Sequence, residues 1–263
     1  MTSMAVLILV SSSGSPGVTT LAVGLALTWP RPVILADCDP GAHQSVLAGF
    51  LGGRSAHGKG LIRIAEAHRD RRPLREVVLD QCEPLVDDPT HRRLFLPGFT
   101  KPGSASHFGG VWADLAEAFE RLSDADYDVI VDAGRLVEPG LPAPLVEHAA
   151  QTCLVLQSNL RSVMSARIHL STLRDHVRLG DASSALGLVL VGESDPYSRA
   201  EISKALAVPV LGVLANDRRA TAHLSDGRPR PRRFDRSGLV SSLHDLSGLL
   251  AARLQRSAEL VRS

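Results

Sequence analysis

Three carboxylates stand where a strand would hand them to a ligand. Asp37-Cys38-Asp39-Pro40 follows the apolar run Val33–Ala36, so Asp37 and Asp39 lie two residues apart at the C-terminal end of a strand. That end is the rim where open α/β sheets bind ligands. Asp-Pro also opens turns, so a turn-and-capping role fits the same pair. Asp132 closes Tyr127-Asp128-Val129-Ile130-Val131-Asp132, a β-branched strand that carries an acid to the sheet edge. A carboxylate so placed can hold Mg²⁺ through water, although many strands end in aspartate. Cys38, between two acids, reads as a buried strand-end cysteine rather than a reactive thiol.

The partner of these acids is the stretch Ala5–Thr20, AVLILVSSSGSPGVTT. An apolar strand, Ala5–Val10, runs into a small-residue loop and then into a helix that starts at Val18. Strand, loop and helix start in that order make a phosphate cradle. Glycines bring backbone N–H groups close to an anion, and the helix N-terminus adds a favourable dipole. Gly14, Ser15, Pro16, Gly17, Val18, Thr19 and Thr20 are the candidate phosphate-binding residues, with Thr19 and Thr20 where such loops place a hydroxyl for Mg²⁺. The lysine that should precede that hydroxyl is absent. Its place is taken by Val18.

The elements that must position these residues alternate between strand and helix. Helices are expected at Val18–Thr28, ending before Trp29-Pro30, and at Leu61–Arg69, Leu74–Leu79 and Val111–Leu122; a further strand is expected at Arg93–Leu96. Three strand-helix units then follow: Thr152–Leu156 with Arg161–Val177, Leu186–Val191 with Ser198–Leu206, and Val208–Leu214 with Asn216–Leu224. The pattern predicts an α/β fold, a doubly wound, mostly parallel sheet with helices on both faces. Residues 1–226 would form that domain. Residues 227–263 would be an arginine-rich connector, GRPRPRRFDR, and an amphipathic helix striped by Leu239, Leu243, Leu246, Leu250 and Leu254. The stripe suits docking on the same domain, or else a membrane surface or a partner.

Composition bounds the function. The 263 residues are 44% hydrophobic and 22% charged with a net charge of +1, so no global pull toward nucleic acid or an anionic membrane exists, and such contact needs a local patch. Three scattered cysteines without metal spacing fit a reduced cytoplasm, and the ten histidines show no zinc pairing. The N-terminal apolar run lacks the basic flank of a signal peptide, and no run approaches a membrane span. A serine hydrolase is disfavoured by the lack of G-x-S-x-G, and a dinucleotide enzyme by the lack of G-x-G-x-x-G.

In the order of its motifs the chain resembles the ParA/MinD family, the deviant-Walker branch of P-loop NTPases, over about residues 4–225. The family loop K-G-G-x-G-K-[ST]-[ST] falls on Ser13–Thr20. The family's D-x-D-P falls on Asp37, Asp39 and Pro40, its Tyr-Asp strand on Tyr127, Asp128 and Asp132, and its P-V-L-G segment on Pro209–Leu214. The resemblance implies ATP or ADP with Mg²⁺ as cofactors, phosphates on Gly14–Thr20, and Thr19 and Asp132 at the metal. It further implies Asp37 or Asp39 orienting the attacking water and Asn216 on the adenine side. A homodimer, a protein partner in a positioning or secretion machine, and a cytoplasmic site extending to the inner membrane face are also implied.

The departures fall on the chemistry. Ser13 and Val18 replace the two family lysines, and Ala133-Gly134-Arg135 replaces Thr-Pro-Pro. Gly192-Glu193 stands where the family carries Asn. A charge-assisted hydrogen bond contributes roughly 1.5–3 kcal/mol, so losing one lysine weakens phosphate binding roughly 10- to 150-fold. The expectation is a positioning or scaffold protein with weak or lost turnover. Two alternatives stand beside it. One is an active Mg²⁺-dependent ATPase switch using Arg135, Lys59, Lys101 or Lys204 for the missing charge; the other is a nucleotide-free partner-binding module.

Overall fold

The structure, a computed structural model, describes residues 6–12, 17–54, 58–88, 91–101, 103–136, 140–179, 185–192 and 196–262. Its centre is β1 (Val6–Ser11), six residues buried on both faces as a continuous apolar run demands. β5 (Asp128–Arg135) and β6 (Gln151–Gln157) flank it in parallel. Beyond β5 come β2 (Val33–Asp37), β4 (Arg93–Leu96) and β3 (Glu83–Pro84); beyond β6 come β7 (Ala185–Val191) and β8 (Val210–Leu214). The described sheet has the order β3-β4-β2-β5-β1-β6-β7-β8, parallel throughout except for the short edge strand β3. This is the doubly wound, mostly parallel architecture that the strand-helix alternation predicts.

Helices cover both faces. On one lie α2 (Leu61–Arg69), α3 (Leu74–Asp80), α4 (Val111–Arg121), α5 (Ala143–Glu147), α6 (Leu160–Leu179) and α7 (Arg199–Leu206). On the other lie α1 (Val18–Thr28), α8 (Arg218–Asp226) and α9 (Gly238–Arg262). α1 is apolar nearly all round because it is sandwiched between the sheet and α9. Gly24 permits that approach: a Cβ there would lie 2.7 Å from a Leu243 methyl. The stripe Leu239, Leu243, Leu246, Leu250 and Leu254 is buried in this layer, against α1 and β8.

Local sequence sets the helix starts. Ser198 and Glu201 form a reciprocal capping box at α7, and the Asp217 carboxylate accepts from the Arg219 and Ala220 amides to open α8. α8 therefore begins two residues later than the periodicity suggests, with Asn216 left in the link. β5 also differs. It does not stop at Asp132 but runs on to Arg135, which pairs with Ser11 after a bulge that puts one extra residue in β5 between Asp132 and Arg135.

The start of β5 is pinned by a buried ion pair. Asp128 accepts from the Trp29 indole at 2.6 Å and pairs with the Arg31 guanidinium at 2.6 Å, its own side chain fully buried. The acid of the Tyr-Asp motif thus ties β5 to the α1–β2 link, at the opposite end of the strand from Asp132. No described helix is long and apolar enough to cross a membrane.

Candidate functional site

The chain leaves β1 on one side to reach β2 and crosses on the other to β6, so the C-terminal ends of β5, β1 and β6 frame a crevice at the topological switch point. A cavity of about 520 Å³ opens there. Gly17, Val18, Thr19 and Thr20 from the start of α1 form its floor, Ser11 and Gly134 its strand wall, and Asp39 and His43 its rim. Gly17 carries the turn into α1 with φ +90°, a left-handed conformation that glycine tolerates. Gly14, Ser15 and Pro16, the middle of the expected phosphate loop, lie outside the described residues.

Behind the cavity Asp37 and Asp132 are neighbours in register on β2 and β5, both buried. Burial first, and the facing Asp132 second, hold the Asp37 carboxyl well above the ordinary carboxylate range. Burial likewise pushes Asp132 up to about 6, opposed by hydrogen bonds from the Thr19 hydroxyl and the Gly134 amide. The Gly134 N–H reaches Asp132 Oδ1 at 3.0 Å. Cys38, between the acids, has its thiol pushed up by burial and by their charge, so it is held as the unreactive thiol.

Asp39 faces outward. Its Oδ1 accepts from the Gly41 amide at 2.8 Å, and its Oδ2 lies 2.7 Å from His43 Nδ1. Ala42 and Gln44, on either side of His43, both have positive φ, so this rim segment is held in a conformation ordinary residues avoid. Gly134 is required beside it: its φ is +63°, and a Cβ would fall 2.4 Å from the Asp39 carboxyl carbon.

Arg135 is exposed and lines the cavity, the one permanently cationic side chain among its described lining residues. None of the three lysines is in that lining; Lys59 donates to the Cys82 carbonyl at 2.9 Å. Val18 is buried with the apolar layer of α1 while its edge meets the cavity. Asn216 is exposed in the β8–α8 link and is not part of the lining, whose far wall comes instead from Thr221, Ser225 and Asp226 of α8. Those three, with His43 and Ser45, are residues that sequence reasoning missed. The only local signal was the four-residue spacing of Asp39 and His43, in a stretch with no helical period.

The donors suit Mg²⁺. A threonine hydroxyl bonded to a buried carboxylate, with a second carboxylate in register, is an all-oxygen set, and Mg²⁺ is held by one or two carboxylates with water and substrate phosphates completing its shell. No cluster of three or more acidic, histidine or cysteine ligands exists among the described residues, so the set is not a closed protein cage. The Ser12 hydroxyl, at the mouth of the loop, is buried without a partner among the described residues. Thr19 and Asp132 would hold such an ion, which would supply positive charge to a phosphate in the cavity.

Neither a family sequence model nor any curated protein matches the chain. Solved structures do. A ParA family ATPase from Chlorobium tepidum TLS is similar at a TM-score of 0.68 and 17% identity, over 94% of this chain and 98% of that one. MinD in the MinC:MinD cell division complex of Aquifex aeolicus gives 0.69 at 15%, over 94% and 96%. The septum site-determining protein MinD of Pyrococcus horikoshii OT3, complexed with Mg-ADP, gives 0.66 at 16%, over 97% and 99%. At these identities the likeness carries the architecture and not the activity: this chain has the fold of the ParA/MinD ATPases.

Proposed function

We propose that the protein is a nucleotide-responsive positioning or scaffold module of ParA/MinD type, with ATP turnover weak or lost. One observation carries the reading: a cavity at the switch point is lined by Thr19 and Asp39, with Asp37 and Asp132 buried behind it, while the lysine position holds Val18, packed among apolar side chains. The solved relatives include a complex with Mg-ADP and a complex with a protein partner, MinC, which supports nucleotide, Mg²⁺ and a protein partner here. Gly17–Thr20 take the phosphates and Thr19 with Asp132 the metal; Asp37 or Asp39 is the candidate to orient a water. Without the lysine charge the phosphates are held by backbone amides and the ion, which favours binding over transition-state stabilisation.

The test is a calorimetric titration with ATP and with ADP, each with Mg²⁺, beside Val18→Lys. Val18 borders the cavity, so a lysine stem can follow the apolar layer and present its ammonium to the phosphates. Expected is weak binding by the parent, tightened roughly 10- to 150-fold in the variant. A normal ATPase rate in the parent overturns the proposal.

Arg135 favours a second reading, an active ATPase in which its guanidinium replaces the lysine charge. Mg²⁺-dependent phosphate release abolished by both Arg135→Gln and Asp132→Ala would support that reading over the first.

A further inference from the structure

His43 stands on the rim of the crevice in a segment shaped to hold it. Its Nδ1 lies 2.7 Å from Asp39 Oδ2. Its neighbours Ala42 and Gln44 have φ of +53° and +50°, left-handed backbone that persists only where the surroundings enforce it. Two glycines make the room: a Cβ on Gly41 would fall 2.2 Å from the His43 ring, and one on Gly134 would fall 2.4 Å from the Asp39 carboxyl carbon. The ring is 52% exposed and lines the same cavity as Gly17 and Thr19.

What the ring can do follows from the nitrogen that is held. A carboxylate only accepts, so Nδ1 is the nitrogen that carries a proton. Nε2 makes no hydrogen bond among the described residues and has two states. In the neutral ring it is a lone pair, which a phosphate oxygen repels. In the charged ring it is an N–H donor carrying positive charge. Histidine is the side chain that passes between these states over about pH 5–8.

The charges around the cavity make that state matter. The described lining carries two carboxylates, Asp39 after β2 and Asp226 on α8, against one guanidinium, Arg135 on β5; α1 contributes Gly17 to Thr20, none of them charged. Asp37 and Asp132, buried behind, add negative charge when they ionise, and the charge of His43 is felt at Asp132. A protonated His43 brings the lining to two cations against two anions. We propose that His43 is a proton-dependent phosphate contact: charged, and held through Nδ1 by Asp39, it donates from Nε2 to the phosphates of the nucleotide. Uncharged, it withdraws both the donor and the charge. The inference rests on the nucleotide reading and names a regulation of that site.

Calorimetric titration of the full chain with Mg²⁺-ADP at pH 6 and pH 8 compares the parent with His43→Gln and His43→Lys. At pH 6 the parent should bind roughly 3- to 10-fold more tightly than His43→Gln, since the contact is half exposed, and the two should converge at pH 8. His43→Lys, charged at both, should keep its advantage over His43→Gln at pH 8. Taking each affinity relative to His43→Gln removes the protonation of Asp132 and of ADP itself, which weighs on every variant. Near pH 7, titrations in buffers of different ionisation enthalpy should show more proton uptake on binding by the parent than by His43→Gln. Equal affinities of parent and His43→Gln at pH 6 overturn the inference. So does a ratio that is the same at both pH values, as a purely structural role would give. Silence of both the parent and Val18→Lys toward Mg²⁺-ADP overturns the nucleotide reading and this inference with it, whereas binding at a constant ratio overturns this inference alone.

Discussion

Asp132→Asn should stabilise the nucleotide-free protein at neutral pH, and the gain should fade in acid. The carboxyl of Asp132 rises from 3.8 to about 6 on folding, with burial as its main cause. A carboxyl that binds its proton more tightly when folded opposes folding once it ionises. The penalty is absent below about pH 4, builds as pH climbs toward about 6, and is complete above that. At 1.36 kcal/mol per pKa unit the full cost is about 3 kcal/mol, with about half felt near pH 5 and all of it by about pH 8. Asp37, pushed up by burial and by Asp132, relaxes in the same variant. Asparagine keeps an oxygen that accepts from Thr19 and Gly134, so little hydrogen bonding is lost. Urea unfolding of parent and variant, read at constant m, should show the variant ahead by about 2–3 kcal/mol near pH 8 and by about half that near pH 5. A variant no more stable than the parent near pH 8, or a difference that ignores pH, refutes the reasoning.

Other perturbations test the supports of the site. Gly134→Ala forces a side chain into left-handed backbone and against the Asp39 carboxylate. It should cost about 1–3 kcal/mol of stability and shift the His43 ring resonances by breaking the Asp39–His43 contact. Asp128→Ala leaves the Arg31 guanidinium and the Trp29 indole buried without their acceptor. Thermal or urea unfolding should register a loss of about 3–5 kcal/mol, while binding at the distant crevice keeps its affinity per folded molecule. An unfolding midpoint close to the parent's would show that Asp128 does not pin β5.

Much of the fold was legible because it is written locally. Arg93–Leu96 and Leu61–Arg69 appear as strand and helix with the bounds their apolar patterns give, and the alternation of such units leaves few topologies. The end of β2 was equally legible, since its apolar run stops at Asp37; the end of β5 was not, because pairing with β1 carries the strand past Asp132 to Arg135. The start of α8 was displaced by a capping side chain that periodicity does not weigh.

What the tertiary structure decided is which of these local facts meet. Asp37 and Asp132, ninety-five residues apart, are neighbours only because β2 lies beside β5; burial raises both carboxyls, with the Asp132 charge adding to the rise of Asp37 and the Asp39 charge to that of Asp132. Asp128 shares a motif with Asp132, yet the strand carries it to the opposite end, where it meets Trp29 and Arg31. α6 shows the same division: Val163 and Ile168 are equally apolar as letters, and only the position of the sheet makes one core and the other surface. Residue types and spacing determine strands, helices and the chemistry available at their ends; long-range packing determines distances between elements, and with them charge, burial and access.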